Sequence, residues 1–268
     1  MALEVPKLRS SDNGDGSGAK AAERLVAILN VLAEEGRPLS LAEVAEGAGL
    51  PQATTHRLLN AFVATGWVDK DPATSRYRLG HAMLGPSAVA LAHAPLIERG
   101  QPILTRMSEI ADANVLLGVL VGRNVVFLAM GSPAQESATL RPGLNRPAHC
   151  SAAGKVLLAF LTPEERKRVF RGRKQLRQFT PNTVTSVDEL ERQLEEVRRK
   201  GYALDMGEYR EYQRSVAVPI HGPDGRVVAA MTCTGRAEKM TPERMERLHE
   251  EMSILAEEIS RQAGLGYD

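Results

Sequence analysis

The chain has 268 residues, 43% hydrophobic and 25% charged, a composition that fits a globular protein and argues against wholesale disorder. Lys and Arg number 34 against 33 Asp and Glu, so the whole chain has neither a polycation's basic excess nor an acidic solvating tail. Aromatic residues make up 4%, which argues against a stacking surface for single-stranded nucleic acid.

Residues 1–18 end in a Ser, Gly and Asp run and read as a disordered tail. Order begins near Lys20, where Leu25, Ile28, Leu29 and Leu32 recur at helical spacing until Gly36-Arg37-Pro38 stops them. Ser40-Leu41-Ala42-Glu43 is a capping box, and the second helix it opens ends at Gly49. A third helix opens at Pro51, suited to a first helical position, and passes Leu58, Leu59 and Phe62 to reach Gly66. Trp67-Val68-Asp69 and Tyr77-Arg78-Leu79 read as two short strands around a turn-rich loop.

Residues 83–94 read as a connecting helix interrupted by Gly85-Pro86, and 95–111 as a helix with Leu96, Ile103, Leu104, Met107 and Ile110 on its apolar side. Residues 114–121 and 125–130 read as strands, with a further strand at 137–140. Helices follow at 151–161, after Thr162-Pro163-Glu164-Glu165, and from Ser186 to Gly201. Strands at 202–205, 213–220 and 227–233 precede a final helix opened by Thr241-Pro242. The two cysteines, Cys150 and Cys233, are far apart and match no zinc spacing, so no metal, cofactor or disulfide is expected. The apolar stretch 115–121 is far short of the about 20 residues that span a bilayer. With no apolar signal core at the N-terminus, a reducing cytoplasm and no membrane partner are expected.

The segment from Ser40 to Leu59 carries the most specific pattern. Two helices crossing at a tight turn need a small residue at their contact, supplied by Ala45, and one tolerant of positive φ, supplied by Gly49. The second helix then offers Gln52, Thr54, Thr55, His56 and Arg57 near its N-terminal end, where a recognition helix meets base edges. Lys70, Arg76 and Arg78 of the hairpin are placed for phosphates, and Ser40 completes the candidate DNA contacts. A structural helical hairpin with a polar surface is the plainer alternative. Residues 1–80 hold nine basic and ten acidic groups, and residues 51–80 four and two. So small an excess attracts DNA weakly, and a dimer on two half-sites is expected.

Arg37-Pro38-Leu39-Ser40-Leu41-Ala42-Glu43-Val44-Ala45, then Gly49-Leu50-Pro51, His56-Arg57-Leu58-Leu59, Gly66-Trp67-Val68 and Arg76-Tyr77-Arg78-Leu79-Gly80, resembles the winged helix-turn-helix of IclR-family transcriptional regulators. His149-Cys150-Ser151-Ala152-Ala153-Gly154-Lys155, Gly201-Tyr202-Ala203-Leu204-Asp205 and Ser215-Val216-Ala217-Val218-Pro219-Ile220 resemble that family's effector domain. The likeness covers nearly everything after residue 20. It implies an α+β chain: a tail over 1–18, a winged helix-turn-helix domain over 19–80 and a linker helix over 81–94. Residues 95–268 would form a GAF-like domain for effector binding and oligomerisation, with a six-stranded antiparallel sheet flanked by helices. The implied partners are double-stranded operator DNA, a small organic acid effector, and further copies of the chain in a homodimer or tetramer.

Ser151-Ala152-Ala153-Gly154 opens a helix with small side chains, so its amides and dipole suit a carboxylate; an ordinary helix start packed on a sheet has the same pattern. Thr232 and Thr234 point to one face of their strand, Met231 and Cys233 to the other. Two hydroxyls on one face can serve a ligand oxygen, although threonine is also a common strand former. In IclR-type regulators the effector lies between this helix start and the final strands, and the polar partners match Asp205, Ser215, Thr232 and Thr234. The family usually has cysteine where Ser215 stands and serine where the two threonines stand.

Arg166, Lys167, Arg168, Arg171, Arg173, Lys174 and Arg177 form an acid-free run that reads as a solvated helix and loop, or as a second DNA or subunit patch. Adjacent residues such as His149 and Cys150 rarely make a nucleophile–base pair, and Ser151 and Lys155 are not at S-x-x-K spacing. The alternative function, a small-molecule metabolic enzyme with an appended helical domain, needs a convergent nucleophile, base and oxyanion site, and none is visible. A protein-interaction module built on the DNA-binding fold is a third reading.

Overall fold

A computed structural model of the chain describes residues 17–92, 95–133, 143–170 and 174–263. The expected strand at 137–140 and nearly all of the expected tail lie outside them. The described residues divide into two compact units, one up to Leu84 and the other from Gly85.

In the first unit, α1 (Ser17–Glu35), α2 (Leu41–Ala48) and α3 (Gln52–Ala64) bury Ile28, Leu32, Leu39, Val44 and Leu59. Val68 and Tyr77 close that core from the hairpin of β1 (Val68–Lys70) and β2 (Tyr77–Leu79). α1 starts earlier than expected because Ala19, Ala21 and Ala22 favour extending the helix. The capping box at Ser40 forms with both reciprocal bonds, and Gly49 takes φ +65° to turn the chain into α3. Pro51 stands just outside α3, with ψ 139°, and its carbonyl accepts the Thr55 amide at 3.0 Å. Leu39 exchanges two backbone hydrogen bonds with Tyr77, at 2.8 and 2.7 Å, tying the chain before α2 to the hairpin.

The second unit is built on one antiparallel sheet. Its strands are β3 (Asn114–Val121), β4 (Asn124–Gly131), β5 (Asn145–Pro147), β6 (Ala203–Asp205), β7 (Gln213–His221) and β8 (Val227–Arg236). They lie in the order β5-β4-β3-β8-β7-β6. Strand alternation splits the core in two. Val115, Leu117, Val216, Val218, Met231 and Cys233 pack with α5 (Pro95–Ala111) and α9 (Pro242–Ala263). Leu116, Ala217 and Ala230 pack with α6 (Ala152–Ala159) and α8 (Val187–Lys200). The remaining helices are α4 (Leu84–Ala92) and α7 (Pro163–Val169). The α+β class and the antiparallel sheet flanked by helices agree with expectation, and β5 is the strand the sequence did not disclose. Ile110 is 54% exposed, contrary to expectation: the buried stripe of α5 runs through Ile103, Leu104, Met107 and Ala111 and leaves Ile110 outside it. No described helix is long and apolar enough to cross a membrane.

Candidate functional site

The first candidate surface is the outer face of α3. Gln52, His56 and Arg57 are exposed, Thr54 is half-buried, and Asn60 extends the face by one turn. Asn60 was missed, although its spacing of four from His56 places it there. Thr55 corrects the expectation. It is fully buried, because it stands four residues before the inward Leu59, and its hydroxyl donates to the Pro51 carbonyl at 3.1 Å. It cannot reach a base edge.

On the hairpin, Lys70 and Arg78 are exposed and Arg76 is half-buried. The Lys70 ammonium lies 5.4 Å from the Tyr77 ring centre, and Arg78 faces Asp69 at 3.6 Å. Arg76 donates to both Glu43 and the Pro38 carbonyl at 3.1 Å, while Arg37 holds the other Glu43 oxygen at 2.9 Å. The Ser40 hydroxyl accepts the Glu43 amide at 3.3 Å as the cap of α2. In return the Ser40 amide, first among several bonds, lowers the Glu43 pKa to about 2.

The second candidate site is a cavity of about 40 Å³ in the second unit. Ser151, Ala152 and Ala153 line it from the start of α6, and Leu116, Phe127 and Leu144 form its apolar wall. Asp205, Ser215 and Thr234 form a cross-strand row over β6, β7 and β8, with Thr232 two residues away on the same face. Gly154 does not line the cavity, and the reason is packing. A Cβ there would stand 2.1 Å from the Ala148 carbonyl oxygen, so glycine lets α6 pass the preceding turn. Arg146, Tyr209 and Gln213 also line the cavity and were missed. Gln213 lies two residues from Ser215 on β7, a legible spacing; Arg146 and Tyr209 sit in segments with no periodic signal.

Several polar groups are already committed. The Ser151 hydroxyl accepts the Gly154 amide and donates to the Pro147 carbonyl, both at 3.2 Å. Thr234 donates to the Arg214 carbonyl at 3.3 Å and accepts from Gln213 at 2.9 Å. The Ala152 and Ala153 amides, first in α6, have no intrahelical acceptor. The Thr232 hydroxyl is buried with no hydrogen-bond partner. Asp205 accepts the Gly207 and Glu208 amides at 3.0 and 2.7 Å and the Ser215 hydroxyl at 3.4 Å. Burial outweighs these bonds and raises its pKa to about 6. Glu208, also raised by burial, is ion-paired with the buried Lys155.

His149 and Cys150 form no catalytic pair. His149 Nε2 lies 2.9 Å from the Arg177 carbonyl, the Cys150 sulfur 3.7 Å from the Pro147 carbonyl, and burial pushes the thiol pKa up. Arg166 departs from the solvated reading of the basic run. It is buried, bonded to Glu191 at 3.0 Å and to the Leu161 carbonyl at 2.6 Å. Arg171 and Arg173 lie outside the described residues.

Two family profiles match the chain: an IclR helix-turn-helix domain over residues 21–72, and the C-terminal domain of bacterial IclR transcriptional regulators over 88–261. The chain is similar to the HTH-type transcriptional regulator BhcR of Paracoccus denitrificans, 31% identical over 250 residues, covering 92% of this chain and 88% of BhcR. The IclR crystal structure from Thermotoga maritima is 26% identical with a TM-score of 0.62, covering 92% of this chain and 99% of that one. An IclR homologue from Microbacterium hydrocarbonoxydans, in complex with 4-hydroxybenzoate, is 26% identical with a TM-score of 0.56, covering 90% of this chain and 98% of that one.

Proposed function

Because the chain belongs to the IclR family of bacterial transcriptional regulators, we propose that a small organic acid in the cavity beside α6 controls its binding to double-stranded operator DNA. The observation that carries this reading is the meeting of free helix amides, at Ala152 and Ala153, with the unpartnered Thr232 hydroxyl in one cavity. Amides at a helix start favour an anion, and a buried hydroxyl without a partner costs free energy until a ligand supplies one. The aromatic acid in the Microbacterium relative supports the same ligand class.

Residues 19–80 would then be the DNA-binding domain, 81–94 the linker and 95–268 the effector and oligomerisation domain. Gln52, Thr54, His56 and Arg57 read bases, with Lys70, Arg76, Arg78 and the Ser40 hydroxyl on phosphates. Asp205, Ser215, Thr232 and Thr234 form the polar wall, and Ser151, Ala152 and Ala153 the anion end. The chain acts as a homodimer, or as a tetramer built from two, in the cytoplasm. Support for self-association comes from α4, a helix without charged residues whose Leu84 and Val89 are 70% and 60% exposed.

Thermal-shift measurement across small keto acids and aromatic acids tests the acid site. At least one carboxylate should stabilise the protein; no stabilisation by any of them overturns the reading.

A further inference from the structure

The cavity is lined by a cation, Arg146, that has no carboxylate partner among the described residues. The Arg146 guanidinium lines the pocket, 4.6 Å from the Tyr209 ring centre, and Nη1 donates to the Asn145 carbonyl at 3.0 Å. A second guanidinium, Arg210, lies 5.7 Å from the same ring and donates to the Tyr212 hydroxyl at 2.9 Å. Two like charges share one phenol ring, and burial together with the Arg210 charge makes the Arg146 cation harder to hold. Among the described residues, no carboxylate stands within ion-pair distance of either arginine. The buried acids nearby are spent elsewhere: Asp205 on the Gly207 and Glu208 amides, Glu208 on Lys155.

The same need for an anionic acceptor exists at the start of α6. There the Ala152 and Ala153 amides and the unpartnered Thr232 hydroxyl, 4% exposed, await an acceptor. One carboxylate carries a single charge, whereas the α6 amides and the Arg146 cation are two separate anion-binding groups lining the same cavity. Leu116, Phe127 and Leu144 line the same cavity and suit a short hydrocarbon spacer.

We propose that the effector is a short dicarboxylate, with one carboxylate on the α6 amides and Thr232 and the other on Arg146 with Arg210 beside it. This rests on the acid-effector reading and narrows it. A guanidinium grips a carboxylate through two parallel N–H bonds, so Arg146 selects for the second anionic group as well as for charge.

Calorimetric titration of the full chain at matched ionic strength tests this, using malonate, succinate and glutarate against acetate, propionate and butyrate. The best dicarboxylate should bind the wild-type chain about tenfold or more tighter than any monoacid, the worth of a hydrogen-bonded charge. Arg146→Gln should remove that advantage and leave the monoacids within about twofold. Arg210→Gln should weaken dicarboxylate binding less. The wild-type comparison decides the matter even if a variant fails to fold. Monoacids binding as tightly as dicarboxylates overturn the dicarboxylate proposal and leave the acid reading standing. Binding by neither series overturns the dicarboxylate proposal, and the acid reading then stands or falls on the keto and aromatic acids.

Discussion

Thr55 and Arg57 are two residues apart on one helix, yet only Arg57 is exposed for the proposed DNA contact. Thr55 faces the core and bonds its own helix start, while Arg57 is exposed. Thr55→Val should therefore keep sequence preference and cost about 1 kcal/mol of stability. Arg57→Ala should lose about 1–3 kcal/mol of discrimination at one base position, whereas Lys70→Ala weakens all sequences and lowers the salt slope by about one. Competition gel shifts over a panel of mutated operators separate these outcomes. Asp205 gives a second prediction. Its carboxyl faces Ser215 on β7, Lys155 on α6, Glu208 in the following turn and Cys150 before α6, and burial raises its pKa from 3.8 to about 6. Between those values the folded chain holds more protons than the unfolded one, so this group's contribution to stability falls as pH rises through the window. Asp205→Asn should lose less Tm than wild type between pH 4 and 6; equal losses would contradict the assignment.

At the scale of elements, legibility depended on whether the cause was local. The capping boxes at Ser40 and Thr162 write helix starts into four consecutive residues, and both formed as read. β5 could not be read that way: three residues ending in proline become a strand only because β4 offers an edge. The candidate site divides similarly. The α6 start and the alternation along β8 were visible, because each lies within one element. Arg146 and Tyr209 meet at the pocket only once the chain between them has folded. Gly154 carries a prediction here, since its glycine identity serves the crossing of α6 over Ala148. Gly154→Ala should destabilise the chain by about 1–3 kcal/mol, read by denaturant midpoint. An unchanged midpoint would show that the turn yields freely.

For the whole molecule, the net charge of +1 supplies no general attraction to a polyanion. Some of the basic charge is matched among the described residues, as at Arg166 with Glu191, so the proposed DNA face draws on few free cations. The proposed pairing of copies would offset weak attraction per copy. Replacing Leu84 and Val89 together by Asp should shift sedimentation toward monomer and weaken operator binding, and an unaltered assembly would place the interface elsewhere. A ligand alters DNA binding only if it prefers one of two arrangements of the molecule, so coupling between the two sites is the central claim. Its direct test is fluorescence anisotropy on an operator selected from bound genomic fragments, titrated with and without the stabilising acid, for wild type and Ser215→Leu. The acid should change wild-type operator affinity by about tenfold, while Ser215→Leu, with the pocket filled, should bind DNA normally and fail to respond. Equal response in both proteins, or none in wild type, would contradict the account.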